Sequence, residues 1–357
     1  MEFITNAVDQ DEEGTKKSYR LRLNKFFRVI NENPENYIDE NRDYEKDVAL
    51  FWNHLKQTSK SRCTRNSQIN TVKQFLSYYD VEPSNKFWKQ LRKSKKDKGN
   101  RPITLDRTPT RKELRRIILE GRPMARAMFL IASSSGMRIG EILQLLPEDV
   151  ILKHDPPMIN IRGEYTKTGR SRTVFISNEA SDALEAWYDE RDNWIENATK
   201  KLGAIRIYDY TKDPRIFPIH RSMCSVMWNN MLRKANLDER DLTTGTRKLH
   251  IHVLRKYFRT NLTYAGMPLD VVEALMGHSG YLTDAYQRYS LEQLAEMYKK
   301  VVNSISIFED EVEINTIQES QKQLIDENKE LKKKIEELDW AVRKLSIKAL
   351  VKDDEKK

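Results

Sequence analysis

The sequence predicts a mainly α-helical protein with a small β-sheet, an α+β fold built from separate regions. Apolar residues recur at helical spacing through most of the chain, and two β-rich runs, MINIRGEY and SRTVFIS, flank the turn sequence TKTGR. The C-terminal segment carries a heptad pattern instead. We therefore expect a helical domain over residues 1–103, a mixed domain of catalytic size over 104–305 and a coiled-coil tail over 306–357.

Length and composition limit the class of protein. The 357 residues suffice for two or three domains, and a hydrophobic content of 38% allows sizeable cores. The net charge of +9 favours a polyanionic partner. The sequence has no apolar run long enough to span a membrane, and its first residues, MEFITNAVDQDEEG, do not resemble a signal peptide. We expect a cytosolic protein without a disulfide framework or zinc site, because Cys63 and Cys224 are too few and too far apart.

The first hundred residues predict a small helical bundle. Three segments each carry apolar residues at helical spacing, which gives each predicted helix one apolar face. These residues are Tyr19, Leu23, Phe26, Phe27 and Ile30, then Val48, Phe51, Trp52 and Leu55, and then Ile69, Val72, Leu76 and Tyr79.

A strongly basic stretch, KFWKQLRKSKKDKGNR at 86–101, follows the bundle with eight Lys or Arg against one Asp. It is either a solvated linker or a segment that lies along DNA phosphates, where each neutralised phosphate releases counterions. The net charge of the chain favours DNA contact. The predicted DNA-binding residues are Lys86, Lys89, Arg92, Lys93, Lys95, Lys96, Lys98 and Arg101, with Arg170 and Arg172 of the later hairpin.

A mixed domain is predicted from Thr110 onward, where TRKE forms a capping box. One helix around 125–132 leads to a turn at Gly136, and another covers 138–146. The two β-rich runs then form a hairpin with Gly169 in its turn, and helices dominate the rest of the domain.

The heptad pattern predicts a parallel two-stranded coiled coil through 314–349. One seam consists of Ile317, Leu324, Leu331, Leu338 and Leu345, and the other of Ile314, Gln321, Asn328, Ile335, Val342 and Ala349. A lone amphipathic helix that folds back on its own domain is the alternative.

Several polar residues lie where apolar patterning does not require them. They are Arg138 in GMRIGE, Lys167 at the hairpin tip, His252 and Arg255 in HVLR, His278 in LMGHS, and Tyr281, Tyr286 and Tyr289 just after it. Arginine forks bind phosphate oxygens, lysine can protonate a leaving oxygen, histidine can move protons, and tyrosine can hold a covalent phosphate. The set matches the needs of phosphoryl transfer without a metal.

Each of these residues alone also has an ordinary structural interpretation. Arg138 could cap a helix or pair with Glu141, and Lys167 is one of three cations on its hairpin. His250 and His252 could be core residues or metal ligands, although no acidic or Cys third ligand stands beside them.

Taken together, the motifs resemble the tyrosine recombinases of the phage integrase family. GMRIGE matches the family's G-x-R-x-x-E, TKTGRSRTVFI its lysine-bearing hairpin, HVLR its H-x-L-R, and LMGHS its L-G-H-S. Order and spacing agree from Thr110 to about Ile305. The first hundred residues resemble the family's core-binding domain in architecture only, and the heptad tail is not part of the pattern.

The resemblance implies a catalytic set of Arg138, Lys167, His252, Arg255 and His278 with a tyrosine nucleophile. YQRYSLEQL aligns with the family's Y-T-H-V-S-x-E-Q-L when Tyr286 is the nucleophile, although His278 then lies eight residues before it, where nine is more usual. Tyr289 would break that register.

The implied reaction is site-specific cleavage and rejoining of double-stranded DNA. Tyr286 attacks a phosphodiester to form a 3′-phosphotyrosyl link and a free 5′-hydroxyl, and neither ATP nor a metal is needed. Four protomers would act on two duplexes, integrating or excising a mobile element in the nucleoid of a host cell.

Two other classes of protein stay open at this point. A type IB topoisomerase would use the same chemistry to relax DNA without exchanging partners, whereas a recombinase needs a specific site and forms junctions. A non-catalytic DNA-binding protein that dimerises through its tail would bind DNA without a covalent product.

Overall fold

The computed structural model describes residues 3–4, 13–59, 61–92, 104–202, 209–278 and 288–308. These residues form two compact units. One comprises the described residues up to Leu105 together with Arg240–Lys248, and the other comprises Asp106–Glu239 and the described residues from Leu249 onward.

The N-terminal unit is helical. Its helices are α1 (Glu13–Ile30), α2 (Tyr44–Thr58), α3 (Arg62–Tyr78) and α4 (Asn85–Arg92). The three predicted apolar faces form its core, in which Leu23, Phe51 and Val72 are fully buried. Side-chain caps begin two of the helices, because Asp43 accepts from the Lys46 N–H and Ser61 from the Thr64 N–H.

In the second unit, one apolar helix is surrounded by the other helices. Its helices are α5 (Arg111–Leu119), α6 (Pro123–Ser135), α7 (Ile139–Ile142), α8 (Asn178–Leu202), α9 (Arg221–Lys234), α10 (Val253–Tyr264), α11 (Leu269–Leu275) and α12 (Leu291–Val301). Helix α6 is buried on nearly every side and packs against α8 and α10. The predicted capping box at Thr110 is confirmed, since Thr110 and Glu113 each accept from the other's backbone N–H.

A three-stranded antiparallel sheet lies in the second unit, in the order β1 (Val150–Ile151), β2 (Met158–Ile161) and β3 (Arg172–Phe175). The predicted hairpin is β2–β3, with Ile159 opposite Val174. Gly169 has a φ of +68° in the connecting loop, as the turn prediction required. The mainly α fold with a small sheet is therefore confirmed.

Helix α7 is shorter than the predicted helix over 138–146. It ends at Ile142, and Leu146 is extended with a ψ of 156°. Pro147 accounts for the extended conformation of Leu146, because a proline disfavours the helical conformation of the residue before it. The chain then turns through a 3₁₀ helix at Pro147–Asp149 and enters β1.

The predicted coiled coil lies outside the described residues from position 309 onward, and the predicted domain limits at 103 and 305 stay predictions. Segment Arg240–Lys248 belongs with the N-terminal unit, which the sequence did not indicate. None of the described helices has the length together with the apolar character that a membrane span requires.

Candidate active site

Glu141 joins two arginines inside the second unit. Its buried carboxylate accepts from Arg172 Nη2 at 2.6 Å and from Arg138 Nη1 at 3.0 Å, and it also accepts from the Arg138 backbone N–H at 2.9 Å. Burial raises the pKa of Glu141, but the contacts with Arg172 and Arg138 outweigh burial and hold the pKa below its usual range. The Arg138 side chain is about one-third exposed, at 35%, so part of its guanidinium stays open to a ligand.

The structure corrects the prediction that Arg172 binds DNA. The Arg172 side chain is only 1% exposed, and its Nε donates to the Leu275 carbonyl at 2.9 Å while its Nη atoms bind Glu141. All three of its nitrogens have partners and the Glu141 carboxylate neutralises its charge, so this guanidinium is not available to a DNA phosphate. Arg172 instead connects β3 to helix α7 and to the end of helix α11.

Arg255 is buried at the start of helix α10. Its Nη1 donates to the Gly136 carbonyl, and its Nη2 donates to the Met276 carbonyl at 3.0 Å and to His278 Nε2 at 3.3 Å. Its Nε is also buried and has no hydrogen-bond partner among the described residues. Burial and the charge of Arg138 lower the pKa of Arg255 to about 10, so the group is still a cation at neutral pH and an anion beside it would be stabilised.

His278 follows directly after the turn that ends helix α11. Its Nδ1 forms a hydrogen bond with the Glu273 carboxylate, and its Nε2 contacts Arg255. Sequence reasoning did not single out Glu273, whose side chain is 8% exposed and also binds Arg259. Its position five residues before His278, at a helix end marked by glycine, was the available signal.

His252 occupies the residue just before helix α10, one turn before Arg255, and its side chain forms no capping hydrogen bond. Its ring is stacked on His250 with centroids 6.3 Å apart, and His250 Nε2 lies 3.1 Å from an Asp106 carboxylate oxygen. Partial burial lowers the pKa of His252, and the charges of Arg255, His250 and Lys256 lower it further. Within the described ranges, no group of three or more His, Cys, Asp or Glu side chains is arranged to hold a metal ion.

Lys167 lies in the exposed loop between β2 and β3, and Arg170 is exposed in the same loop. Among the described residues, Lys167 forms no hydrogen bond with His278 and no ion pair with Glu141 or Glu273, so no such contact places it in the cluster. Its catalytic role stays a prediction.

The tyrosines divide into two groups. Tyr281 and Tyr286 lie outside the described residues, so their placement is untested. Tyr289 is partly buried against the hydrophobic core of the second unit, as expected of a packing residue. Ser290 and Gln293, from the SLEQ sequence that set the register, form a capping box at the start of helix α12.

Two of the predicted DNA-binding residues can be placed in the N-terminal unit. Lys86 and Lys89 are exposed on helix α4, which shows that the basic stretch begins as a helix. The side chain of Arg92 and the residues Lys93, Lys95, Lys96, Lys98 and Arg101 lie outside what the structure describes.

The described site therefore combines three arginines, two histidines and two buried glutamates on one mixed helical unit, a set of groups that suits phosphoryl transfer. The sequence profile of the phage integrase family matches residues 109–292, which is more than half of the chain. The chain therefore belongs to the phage integrase family. It is a tyrosine recombinase, an enzyme that breaks and rejoins DNA at specific sites.

Sequence and structural similarity to individual proteins supports this assignment. Tyrosine recombinase XerC of Listeria monocytogenes serotype 4b (strain F2365) is 25% identical over 264 residues, covering 71% of this chain and 80% of that protein. Tyrosine recombinase XerA of Thermococcus kodakarensis is 26% identical over 270 residues, covering 74% and 84%. The solved structure of XerH site-specific recombinase bound to difH substrate has a similar fold, with a TM-score of 0.52, 18% identity and coverage of 79% of this chain and 78% of that one.

Proposed function

We propose that this recombinase cleaves DNA by forming a 3′-phosphotyrosyl link on Tyr286, with Arg138 and Arg255 holding the scissile phosphate. The observation that carries the proposal is the Arg255 guanidinium. It is fixed by two backbone carbonyls, lies against His278, and keeps a buried Nε–H without a partner in the described structure. Such a group fits a phosphate oxygen, because guanidinium N–H groups bind phosphate oxygens in fixed geometry.

The proposed reaction uses the remaining residues for proton transfer. The oxygen of Tyr286 attacks phosphorus and the bond from phosphorus to the 5′ oxygen breaks, while His252 accepts the tyrosine proton and Lys167 protonates the departing oxygen. The lowered pKa of His252 supports this role, because a neutral imidazole can accept a proton. A 5′-hydroxyl of a second duplex then reverses the steps. No bond energy is lost, so the exchange needs no ATP.

We propose double-stranded DNA and further copies of the chain as partners. XerH is bound to difH substrate in its solved structure, and a lambda integrase of similar fold, with a TM-score of 0.51, is a dimer bound to a COC′ core site. The domain over 1–103 would hold the duplex together with the basic stretch at 86–101, and four protomers would join two duplexes. The enzyme would act on its host's DNA in the cytoplasm, integrating or excising a mobile element.

A suicide substrate tests the nucleophile. Wild type, Tyr286→Phe and Tyr289→Phe would be incubated without divalent metal on nicked duplexes that carry the junction sequences of the encoding element. Covalent adduct would be measured on a denaturing gel. We expect adduct from wild type and Tyr289→Phe and none from Tyr286→Phe.

Other results would contradict the proposal in different ways. Adduct that disappears only in Tyr289→Phe would make Tyr289 the nucleophile. Relaxation of supercoiled DNA without junction formation would favour a topoisomerase. A tightly bound site that gives no wild-type adduct would favour the non-catalytic alternative.

A further inference from the structure

We propose that Glu273 is a positioning residue for His278, whose ring it orients toward Arg255 and the scissile phosphate. This inference rests on the proposed function, because it takes the phosphate to bind beside Arg255. Glu273 itself does not touch the reacting atoms in this proposal and acts through the histidine ring.

The end of helix α11 brings the two residues together. The His278 N–H donates to the Glu273 carbonyl at 3.1 Å and the Gly277 N–H donates to the Ala274 carbonyl at 2.8 Å, which is the Schellman pattern of a helix C-terminus. In this pattern the side chains at the positions of Glu273 and His278 come together, usually as an apolar contact. Here the contact is a hydrogen bond between the carboxylate and Nδ1.

The turn between them is held from its other side by Arg172. Gly277 has a φ of +73°, and a Cβ atom at Gly277 would lie 2.7 Å from the Arg172 guanidinium carbon. Arg172 also donates to the Leu275 carbonyl within the same turn. The backbone that carries His278 is therefore fixed, and only rotation of the histidine side chain is left for Glu273 to restrict.

The contact with Glu273 also decides which ring nitrogen carries the proton. Burial raises the pKa of Glu273, but the contacts with Arg259 and His278 outweigh it, so the carboxylate is ionised at neutral pH and can only accept hydrogen bonds. Nδ1 must then be the protonated nitrogen, and in the neutral ring the lone pair of Nε2 faces the Arg255 Nη2 donor 3.3 Å away.

This arrangement has a consequence for phosphate binding. A phosphate oxygen only accepts hydrogen bonds, so Nε2 can donate to it only when the ring carries a second proton. The resulting positive charge lies against the Glu273 carboxylate, which compensates it. Glu273 therefore supplies both the orientation of the ring and the counter-charge for the form that contacts the phosphate.

The experiment compares Glu273→Ala, His278→Ala and the double variant in the suicide-substrate assay, with DNA affinity measured by gel shift. We expect Glu273→Ala to slow adduct formation about tenfold or more, up to the roughly 100-fold to 1000-fold lost with one transition-state donor. DNA affinity should be unchanged. In the His278→Ala background the same substitution should have no further effect, since Glu273 acts through that ring.

A matched control is Asp270→Asn, which removes another carboxylate on helix α11, one that pairs with Arg288 at 3.3 Å and has no contact with His278. Its adduct rate should stay at the wild-type value. If Glu273→Ala does not fold, as judged by thermal unfolding, Glu273→Met takes its place in both backgrounds, because it keeps most of the side-chain volume but cannot replace the carboxylate as the acceptor of the Nδ1 hydrogen bond.

A spectroscopic readout is independent of activity. In protein labelled with ¹⁵N-histidine, the six histidines can be distinguished by substitution, and His278 Nδ1 should be protonated in wild type and lose that preference in Glu273→Ala. The inference is overturned by an unchanged His278 spectrum, by a wild-type adduct rate in Glu273→Ala, or by equal slowing with and without His278. Absence of adduct from wild type would instead overturn the proposed function, and the inference with it.

Discussion

At the scale of single residues, the charges around His252 determine the pH at which it can accept a proton. Burial, Arg255, His250 and Lys256 all lower its pKa, and only Asp106 opposes them. Because the folded state disfavours the protonated ring, the contribution of His252 to stability is complete above its unfolded pKa of about 6.5 and declines as the pH falls below it.

Removal of Lys256 should therefore move the pH dependence of cleavage. In Lys256→Met one cation near His252 is lost, which raises the pKa of His252. If neutral His252 accepts the tyrosine proton, the acidic limb of the pH–rate profile for adduct formation shifts to higher pH. Asp106→Asn should shift the same limb to lower pH. Limbs that do not move, or that move together, would exclude His252 as the base.

The role of Lys167 as general acid can be tested by substitution, because its exposed side chain can be replaced without disturbing the buried contacts of the site. Lys167→Met should lose on the order of 100-fold or more in adduct formation if Lys167 is the general acid. A substrate with sulfur at the bridging 5′ position should restore the rate, because a thiolate leaves without a proton. Arg170→Met, from the same loop, is the control and should respond equally to both substrates. Failure of sulfur to rescue Lys167→Met would assign the acid to another residue.

At the scale of elements, the helices were predictable because their signals are local. The apolar repeats at Leu23, Phe51 and Val72 correspond to buried faces of α1, α2 and α3. Strand β1 was not predicted, since two residues carry no periodicity, and it exists only by pairing with β2. Helix α7 was predicted to be too long because its apolar pattern was continued up to Pro147. A proline disfavours the helical conformation of the residue before it, and Leu146 is extended.

The motif residues of the site were predictable from the sequence, whereas the residues that hold them in place were less predictable. Arg255 contacts His278 and lies within the field of Arg138, whereas Arg172 was predicted to bind DNA because it is a cation on a hairpin. The alternation of side chains along the strand indicates that Arg172 is buried, because it lies on the same face as Val174, which is fully buried. Its partner Glu141 is distant in sequence, and without that partner a buried arginine could not be inferred.

The Arg172–Glu141 pair leads to a prediction about stability. Arg172→Met should lower the free energy of unfolding by roughly 3–5 kcal/mol, because it leaves the buried Glu141 carboxylate short of a counter-charge. Urea unfolding of the full chain measures the change. Arg162→Met is a suitable control. Arg162 pairs with Glu148 and Asp149, but its side chain is 38% exposed. Equal losses in the two variants would show that burial of Arg172 does not govern the effect.

At the scale of the whole molecule, the heptad tail lies outside residues 109–292, which match the family profile, and outside the described residues. A peptide covering 311–357 should form a parallel dimer, because both heptad seams are apolar apart from Gln321 and Asn328. Analytical ultracentrifugation measures the mass of the peptide. An Asn328→Leu peptide tests the role of the asparagine, because an asparagine at a seam position specifies the oligomeric state and the register, and leucine does not. A monomeric peptide would favour a helix that folds back on its own domain.

The contacts of Arg172 restrict how this sequence can diverge. The guanidinium fills the space that a side chain at position 277 would need, and it neutralises a carboxylate that the Arg138 motif supplies. Positions 141, 172 and 277 are therefore free to change only in compensating sets. In descendants of this chain, loss of the glutamate alone would leave the buried arginine without a carboxylate, so the two should be replaced together, and a bulkier residue at the glycine should be tolerated only after the arginine has gone.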